Sequence, residues 1–326
     1  MSVNWRVPVI NLALRLTSPV VLREQALISS IERAPRARVD DLQNERLERL
    51  LHHAWSQTDY YHDVLESCGA VRGGKVDLSR FGDIPFLTKD IIRSQGSRLF
   101  ARKLPDGRRS SLITSGGTTG APIQFPQDSG HWDANIGTRI YQFSTLGKEP
   151  GDPEMKVWGN EGDLNKGTSS PIKRVENFIY NRRYQGAWYL SEERINEIIR
   201  EINDWRPKLL WCFRDGIDAI AKYVNAHGIR MHRPAAIVLG GSTVYPFVVR
   251  TIEQAFKSPV ISAYGSREIG GVACECLDRN GHHISVNLAR IETIDAQGRS
   301  VKDQDAELAI TGLQNYAMPF IRYRIG

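Results

Sequence analysis

The chain has 326 residues, 41% of them hydrophobic and 25% charged, which is the composition of a folded globular protein and excludes a disordered or fibrous one. This length suffices for one large domain or two moderate ones. The formal net charge of +6 suits small anionic ligands, but the 43 basic and 37 acidic residues are interspersed without a basic run. Composition therefore argues against nucleic-acid binding.

The N-terminal stretch VPVINLALRLTSPVVL is apolar but interrupted by Pro8, Arg15 and Pro19, and no small-residue cleavage site follows it. It predicts a packed helix, neither a signal peptide nor a stably inserted membrane segment, while a weaker contact with a membrane surface stays open. Four cysteines in a chain this long do not form a secreted disulfide framework. A cytoplasmic location is expected.

Residues 1–105 are predicted to form a mostly helical N-terminal part. In ERLERLLHHAW the apolar side chains share one helical stripe, the pattern of a helix laid on a core. These side chains are Leu47, Leu50, Leu51, Ala54 and Trp55. Thr88 is expected to cap the helix that follows it, because its hydroxyl can accept from the first free amides.

Residues 106–281 are predicted to form an α/β nucleotide-binding core. SSLIT and PIQFPQ read as strands, and a helix is expected over 131–146. Further strands are MKVWG, KLLWCF, AAIVLGG and PVISAYG, and the helices between them are SEERINEIIREINDW, capped by Ser191, GIDAIAKYVNAHG and YPFVVRTIEQAF. This alternation predicts a mostly parallel sheet with flanking helices, with ligands beyond the carboxyl ends of its strands.

Residues 282–326 are predicted to form a small β-rich appendage without a helix. HISVNLARIETID, AELAITG and PFIRYRIG read as antiparallel strands, the first two joined by the turn DAQGRS. The predicted fold class is therefore α/β, with a helical N-terminal part and a small antiparallel β appendage at the C-terminus.

The stretch SSLITSGGTTGAPIQF (110–125) contains a loop crowded with glycines and hydroxyl residues. The loop residues are Ser115, Gly116, Gly117, Thr118, Thr119 and Gly120. Glycines let the backbone curve around a ligand, and amide and hydroxyl donors suit phosphate oxygens. No Lys follows the last glycine, so this is not a Walker A loop. Taken alone, it is either a phosphate-binding loop or an ordinary polar hairpin loop.

Two later segments favour the phosphate-binding interpretation. AYGSREIGG (263–271) follows an apolar strand, which places Tyr264 and Glu268 near a carboxyl edge of the sheet. An aromatic ring there can stack on a purine, and a carboxylate can hold Mg²⁺ against phosphate. VLGGSTVYP ends another strand with the pair Gly240 and Gly241, where a flat base could approach the backbone closely.

Together and in this order, the motifs resemble those of adenylate-forming enzymes, specifically the phenylacetate–coenzyme A ligase branch and its CapK-like relatives. The motifs are TSGGTTGAP, GGS, YGSRE, GVACEC followed by GHH, and MPFIRYRIG, with HAWSQTDYYHDVL and IPFLTKDIIR as supporting matches. The resemblance covers nearly the whole chain, which looks like the large N-terminal domain of such an enzyme.

The resemblance implies that a carboxylic acid attacks the α-phosphorus of ATP, releasing pyrophosphate, and that a thiol such as coenzyme A or a carrier-protein thiol then captures the acyl-adenylate. It implies that Ser115, Gly116, Gly117, Thr118, Thr119 and Gly120 hold the β- and γ-phosphates, that Gly240, Gly241 and Ser242 line the adenine, and that Tyr264 with Gly265 stacks on the nucleotide. Glu268 would bind Mg²⁺. Arg322 and Arg324 would face phosphate or ribose, although strand arginines are as often surface residues.

The chain departs from the family pattern at three places. Arg267 stands where the family usually has Thr or Ser, which replaces a hydroxyl contact to the α-phosphate with a positive charge in the catalytic region. Ser242 stands where an acid is common. The sequence ends at YRIG, one residue before the ribose-binding Asp, and lacks the small C-terminal domain with its catalytic Lys. We expect a fragment of a longer enzyme.

The CEC segment admits two interpretations. On a strand, Cys274 and Cys276 would point to the same face, and GHH follows shortly after. Cys276 with His282 or His283 could bind zinc, and by resemblance His283 is the better match. The alternative is a pair of reduced structural thiols.

Three rival functions follow from the sequence. Ser242 after AAIVLGG could be a hydrolase nucleophile, but Val244 occupies the last glycine position of the nucleophile elbow. A non-catalytic, partner-dependent nucleotide-binding module derived from the same family is the second. Nucleic-acid binding, the third, would need a basic patch formed only in three dimensions. The sequence defines neither the acid nor the acceptor, and it is compatible with a homodimer.

Overall fold

The computed structural model describes residues 4–105, 107–115, 122–159, 170–302 and 305–325. The chain forms two compact units, each assembled from separate stretches of sequence. Unit 1 contains Met1–Leu22, Arg139–Gly265 and Ala273–His283; unit 2 contains Arg23–Thr138, Ser266–Val272 and Ile284–Gly326. The division predicted from sequence at 1–105, 106–281 and 282–326 stays a prediction.

The helices of the described residues are α1 (Arg6–Thr17), α2 (Pro19–Ile31), α3 (Arg36–Gln57), α4 (Asp59–Ser67), α5 (Lys89–Gln95), α6 (Ser129–Thr145), α7 (Pro171–Tyr180), α8 (Glu192–Trp205), α9 (Arg214–His227) and α10 (Pro246–Phe256). Short 3-10 turns cover Leu78–Asp83 and Gly96–Leu99. Among these residues, no helix combines the length and apolar character needed to cross a bilayer.

The strands are β1 (Val71–Arg72), β2 (Lys75–Val76), β3 (Ser110–Thr114), β4 (Gln124–Asp128), β5 (Glu154–Trp158), β6 (Arg182–Gly186), β7 (Leu209–Phe213), β8 (Ala236–Gly240), β9 (Val260–Ser266), β10 (Gly270–Glu275), β11 (His282–Ile284), β12 (Ala289–Ile294), β13 (Glu307–Gly312) and β14 (Tyr323–Arg324). A seven-stranded sheet has the order β11-β10-β9-β8-β7-β5-β6.

The predicted α/β fold with a mostly parallel sheet is confirmed. The pairs β5–β6, β5–β7, β7–β8 and β8–β9 are all parallel. Both faces of β7 and β8 are covered in unit 1: α8, α9 and α10 pack on one face, and Phe143 and Leu146 lie in the apolar cluster on the other. Continuous apolar strands such as AIVLG are expected where a sheet is covered on both sides.

The predicted helix signals are confirmed locally. The hydroxyl of Ser191 accepts a hydrogen bond from the Arg194 amide at 3.3 Å, and that of Thr88 accepts from the Ile91 amide at 3.3 Å. The stripe predicted on α3 is buried at Leu47, and its remaining leucines and Ala54 are buried with it.

The apolar N-terminal stretch forms two helices, which separate between Thr17 and Pro19. The prediction of a packed helix holds for only part of α1. Leu14 is 6% exposed, whereas Leu12 is 59% and Leu16 is 76% exposed. The spacing that buries one face of this helix leaves a second apolar stripe in solvent.

The C-terminal part is antiparallel, as predicted, but its strand boundaries differ from those expected. β12, β13 and β14 form a three-stranded antiparallel sheet in unit 2. The single strand expected from His283 to Asp295 is divided into β11 and β12, and β11 joins the seven-stranded sheet instead. The amide of Leu288 donates to the Ser285 carbonyl at 2.8 Å, which forms a turn that ends the extended run. The strand expected over PFIRYRIG is reduced to β14.

Candidate functional site

The glycine loop connects two strands that pair directly with each other. β3 and β4 are antiparallel, with Thr114 opposite Gln124. Beyond that pair, the Ser115 amide donates to the Ile123 carbonyl, and the Ile123 amide donates to the Ser115 hydroxyl, each at 2.9 Å. Ser115 therefore fastens the two ends of the loop together. The predicted phosphate-binding residues Gly116, Gly117, Thr118, Thr119 and Gly120 lie outside the described residues.

The Arg267–Glu268 turn is joined to the start of this loop within unit 2. The Arg267 guanidinium donates from Nη1 to the Thr114 carbonyl at 3.0 Å. Thr114 directly precedes Ser115, so the turn and the entry to the glycine loop are neighbours. The positive charge that replaces the family's hydroxyl is thus held at this loop by a backbone contact.

Glu268 is 7% exposed and contacts the final sequence motif. The Tyr323 hydroxyl, itself buried, donates to Glu268 Oε1 at 3.3 Å. Burial, followed by the nearby Glu268 carboxylate, raises the pKa of Tyr323. The phenol therefore remains protonated and available as a donor at neutral pH.

Three polar residues that the sequence analysis missed hold the Arg267–Glu268 turn from β4 and α6. Gln127 Nε2 donates to the carbonyl of Arg267, and Asn135 Oδ1 accepts from the Gly271 amide at 2.9 Å. His131 is 3% exposed and its Nε2 lies 3.2 Å from Gln127 Nε2. The amide of Gln127 is a donor, so the imidazole nitrogen is the acceptor. This cluster positions the backbone on either side of Glu268.

Gly270 must be glycine in this arrangement. Its φ is +94°, and a side chain there would collide with the Asn135 amide. Positive φ and a close approach both select glycine. The signal available in the sequence was the run of Gln, Asp, His and Asn in PQDSGHWDAN, a polar set unusual for a strand passing into a buried helix.

Asp128 is a fully buried carboxylate at the end of β4. It accepts from the His131 amide at 3.0 Å and the Tyr316 amide at 2.6 Å, and it pairs with Arg108 Nη1 at 2.9 Å. These contacts tie the start of α6 to the segment that leads into the final motif. A carboxylate buried to this extent requires such donors.

In unit 1, the glycine pair ends β8 at the carboxyl edge of the sheet. Gly240 is buried and lies opposite Phe213 of β7. Gly241 has φ +86°, and a Cβ there would lie 2.6 Å from two Phe213 ring carbons. The backbone turns sharply away from the sheet at this point, and Ser242 follows, partly buried.

Tyr264 and Gly265 lie near the end of β9, and both are exposed. The Tyr264 ring is 38% exposed. Because β8 and β9 are parallel neighbours, Gly240 and Tyr264 approach the same edge of the sheet, as the sequence predicts.

The two candidate arginines of the final motif have different environments. Arg322 is 6% exposed, pairs with Glu292 and donates to the carbonyls of Gly82 and Ile84. Arg324 is partly exposed and pairs only with Glu307 among the described residues. The donors of the Arg322 guanidinium are thus already bonded to protein acceptors, whereas the Arg324 guanidinium remains accessible to solvent.

Cys274 lies in β10 and is buried, and burial raises the pKa of its thiol to about 12. Cys276 lies just past the end of the strand, and His283 is exposed in β11. In the part of the chain that the structure describes, no three His, Cys, Asp or Glu side chains are grouped to hold a metal ion. The zinc interpretation gains no support.

No protein-family model matches the sequence. Protein CapK of Staphylococcus aureus is 24% identical over 295 residues, which cover 88% of this chain and 62% of CapK. A phenylacetate–coenzyme A ligase of Pseudomonas putida is 27% identical over 316 residues, which cover 92% of this chain and 68% of that enzyme. The chain thus spans about two thirds of the length of these relatives.

The fold resembles that of 2-hydroxyisobutyryl-CoA ligase, solved in an open conformation with 2-HIB-AMP and CoA. The TM-score is 0.72 at 17% identity, over 90% of this chain and 70% of that one. A second structure of that ligase, in the thioesterification state, matches with a TM-score of 0.71. The chain is therefore similar in sequence to CapK and the phenylacetate–coenzyme A ligases, and similar in fold to 2-hydroxyisobutyryl-CoA ligase.

Proposed function

We propose that the chain is the large, nucleotide-binding part of an ATP-dependent ligase that activates a carboxylic acid as its adenylate. The observation that carries the proposal is the convergence within unit 2 of the glycine-loop entry, the Arg267–Glu268 turn and Tyr323. The sequence likeness to phenylacetate–coenzyme A ligases supports the reaction class.

In the proposed reaction, a carboxylate oxygen of the acid attacks the α-phosphorus of ATP, and the bond between that phosphorus and the pyrophosphate oxygen breaks. A thiol, proposed to be that of coenzyme A, then attacks the acyl carbonyl carbon, loses its proton, and releases AMP. Such chemistry needs reactants held in line and negative charge stabilised. Loop amides and hydroxyls around Thr118 and Thr119 are the proposed phosphate ligands.

Glu268 fits a magnesium ligand, because Mg²⁺ prefers carboxylate oxygens and this carboxylate is held in a fixed orientation by one phenol. When bound, the ion would neutralise negative charge on the phosphates. Arg267 would add a fixed positive charge beside the loop. Gln127, His131 and Asn135 would act through the backbone, by holding the turn that carries both side chains.

The remaining proposed contacts follow from the sequence motifs. Gly240, Gly241 and Ser242 would line the adenine, with Tyr264 and Gly265 against the base. In the final motif, Arg324 would bind a phosphate or the ribose of the nucleotide, since its guanidinium is accessible to solvent. Of the two arginines, Arg322 is better explained as a structural residue because it is buried against Glu292.

Calorimetric titration of the 326-residue chain with ATP and Mg²⁺ tests the proposal. We expect metal-dependent binding that Glu268→Ala weakens and Glu253→Gln does not, since Glu253 pairs with Arg279 at the surface of unit 1. Binding followed by pyrophosphate exchange with an added acid supports the ligase. Binding without exchange, in this chain and in a longer form that continues past Gly326, would favour the non-catalytic nucleotide-binding module instead.

A further inference from the structure

A cleft open to solvent lies in unit 1 at the amino ends of two parallel strands. Glu154 begins β5 and Arg182 begins β6, and both side chains line the cleft. Arg139 of α6 and Lys148 of the following loop complete its charged lining. Its enclosed cavity volume is about 10 Å³, and its roughly 320 Å³ of empty space includes open solvent. The proposed adenine contacts lie at the carboxyl ends of this sheet, so the cleft is a separate feature.

Three cations surround one carboxylate here. The Lys148 ammonium lies 3.0 Å from Glu154 Oε2, and Arg182 Nε lies 3.6 Å from the same oxygen. Burial opposes ionisation of Glu154, but the three cations together outweigh it and lower its pKa to about 2. Two positive charges are left without a carboxylate in the lining. The nearby Glu176 is already paired with Lys173, at 2.5 Å.

Arg139 and Arg182 both have N–H donors that make no hydrogen bond within the described residues. Arg182 Nε is buried and donates no hydrogen bond, and among the described residues Arg139 donates none either. Aromatic rings hold both guanidinium groups in place: Arg139 lies 4.8 Å from the Trp211 ring centroid, and Arg182 lies 4.4 Å from that of Tyr180. Ring faces attract the cation but leave the in-plane N–H groups without acceptors.

Unsatisfied donors and excess charge both point to an anionic ligand. Buried polar groups in native proteins nearly always have partners, and uncompensated buried charge is destabilising. A guanidinium fork binds phosphate oxygens in pairs, and a doubly charged anion would compensate both remaining charges. A monocarboxylate would leave one of them.

We propose that this cleft binds a phosphate group, either as inorganic phosphate or on a small phosphate monoester, between Arg139 and Arg182. The proposal does not depend on the ligase function. The alternative hypothesis is that the cluster binds no ligand and is purely structural, with Arg139 and Arg182 only joining α6 and β6 to β5.

The test is thermal unfolding of the chain in inorganic phosphate, glycerol 3-phosphate or acetate, each matched in ionic strength with sodium chloride. We expect a saturable rise in Tm with at least one phosphate compound and none with acetate. A response to glycerol 3-phosphate alone identifies a monoester ligand, and a response to inorganic phosphate alone identifies the free ion. No response to either compound overturns the proposal.

Arg139→Gln separates binding from structure. The variant loses no hydrogen bond and relieves the repulsion from Arg182, but it also loses the Trp211 ring contact and the attraction to Glu154. Its Tm without phosphate should therefore change by only about 5 °C or less. Its apparent affinity for phosphate should fall at least about tenfold, because two charge-assisted hydrogen bonds are lost. A lower Tm without phosphate, combined with an unchanged phosphate response, would overturn the proposal in favour of the structural cluster.

Two control variants locate the response. Arg183→Gln changes the next residue of β6, which points to the opposite face and pairs with Glu201 at 3.2 Å, so it should keep the phosphate response. Phosphate could also bind the proposed nucleotide loop. If it binds in the cleft instead, the double variant Thr118→Ala/Thr119→Ala should keep the phosphate-dependent rise in Tm. If the loop variant abolishes it and Arg139→Gln does not, phosphate binds at the loop and the cleft proposal is wrong.

Discussion

The hydroxyl of Tyr323 donates a hydrogen bond to the carboxylate of Glu268, across 55 positions of sequence. Both side chains are buried, Tyr323 at 1% and Glu268 at 7% exposure. The contact joins two motifs, YGSRE and the final YRIG, that no local pattern connects. It also supplies a direct way to test whether the orientation of Glu268 matters.

Tyr323→Phe should change the magnesium dependence of pyrophosphate exchange more strongly than it changes the free energy of unfolding. The substitution removes one hydrogen bond to a charged group, worth about 1.5–3 kcal/mol at full strength and less at 3.3 Å. We expect the magnesium concentration for half-maximal pyrophosphate exchange to rise roughly fivefold, with kcat at saturating metal little changed. Equal magnesium curves for variant and wild type would show that the hydroxyl does not position Glu268.

Glu268→Gln should lower the rate of adenylation at least about a hundredfold, because the amide keeps the shape of the side chain and removes the charge that would hold the metal. Pyrophosphate exchange at saturating ATP measures this effect. Glu253→Gln is the matched control at a surface ion pair. A Glu268→Gln variant with a near-wild-type rate would exclude Glu268 as the metal ligand.

Gly241→Ala should destabilise unit 1 by about 1–3 kcal/mol, because Gly241 has φ +86° and the added Cβ would lie 2.6 Å from the Phe213 ring. Urea unfolding measures the loss. The same substitution should cost less in a Phe213→Leu background, where most of the ring is absent. The free energies to compare are those of Phe213→Leu and of the double variant Gly241→Ala/Phe213→Leu, and their difference should lack the steric part of the loss. The cost of the positive φ should remain.

Arg322→Gln should cost about 3 kcal/mol of unfolding free energy, because it leaves the partly buried Glu292 without its partner and two carbonyls without a donor. Arg324→Gln should cost about 1 kcal/mol or less, since its pair with Glu307 is about a third exposed. Urea unfolding of both variants measures the difference. Equal losses would contradict the assignment of Arg322 as the structural arginine.

Stability should fall between pH 6.5 and pH 4 through His131. Burial, only partly opposed by Asp128, lowers the pKa of His131 to about 4, so the unfolded chain binds a proton in this range and the folded chain does not. The contribution of His131 is therefore complete above about pH 6.5 and is lost as the pH falls. At pH 5 the expected loss is about 2 kcal/mol.

Urea unfolding of wild type and His131→Gln at pH 7.5 and pH 5 isolates this contribution. The pKa of His53 is also lowered by burial and contributes in the same direction, so the quantity to compare is the difference between the two proteins. If the variant does not fold, an NMR titration of the imidazole measures the pKa itself. A value near 6.5 would contradict the prediction.

The sequence alone predicted the features that depend on neighbouring residues. Apolar spacing indicated the strands and helices of the parallel sheet, and Ser191 and Thr88 were recognised as caps because a cap bonds within three residues. The order of five short motifs was enough to suggest the adenylate-forming relationship. The long strand expected after His282 was wrong, because a turn at Ser285–Leu288 interrupts a pattern that otherwise alternates.

Only the tertiary structure decided which similar residues have different roles. Arg322 and Arg324 are two positions apart, yet one is enclosed by Glu292 and two distant carbonyls while the other stays partly exposed. Gln127, His131 and Asn135 hold a turn about 140 residues away, and Arg139 and Arg182, from different elements, line one cleft. These contacts depend on packing between sequence-distant segments, so neither periodicity nor spacing carries information about them.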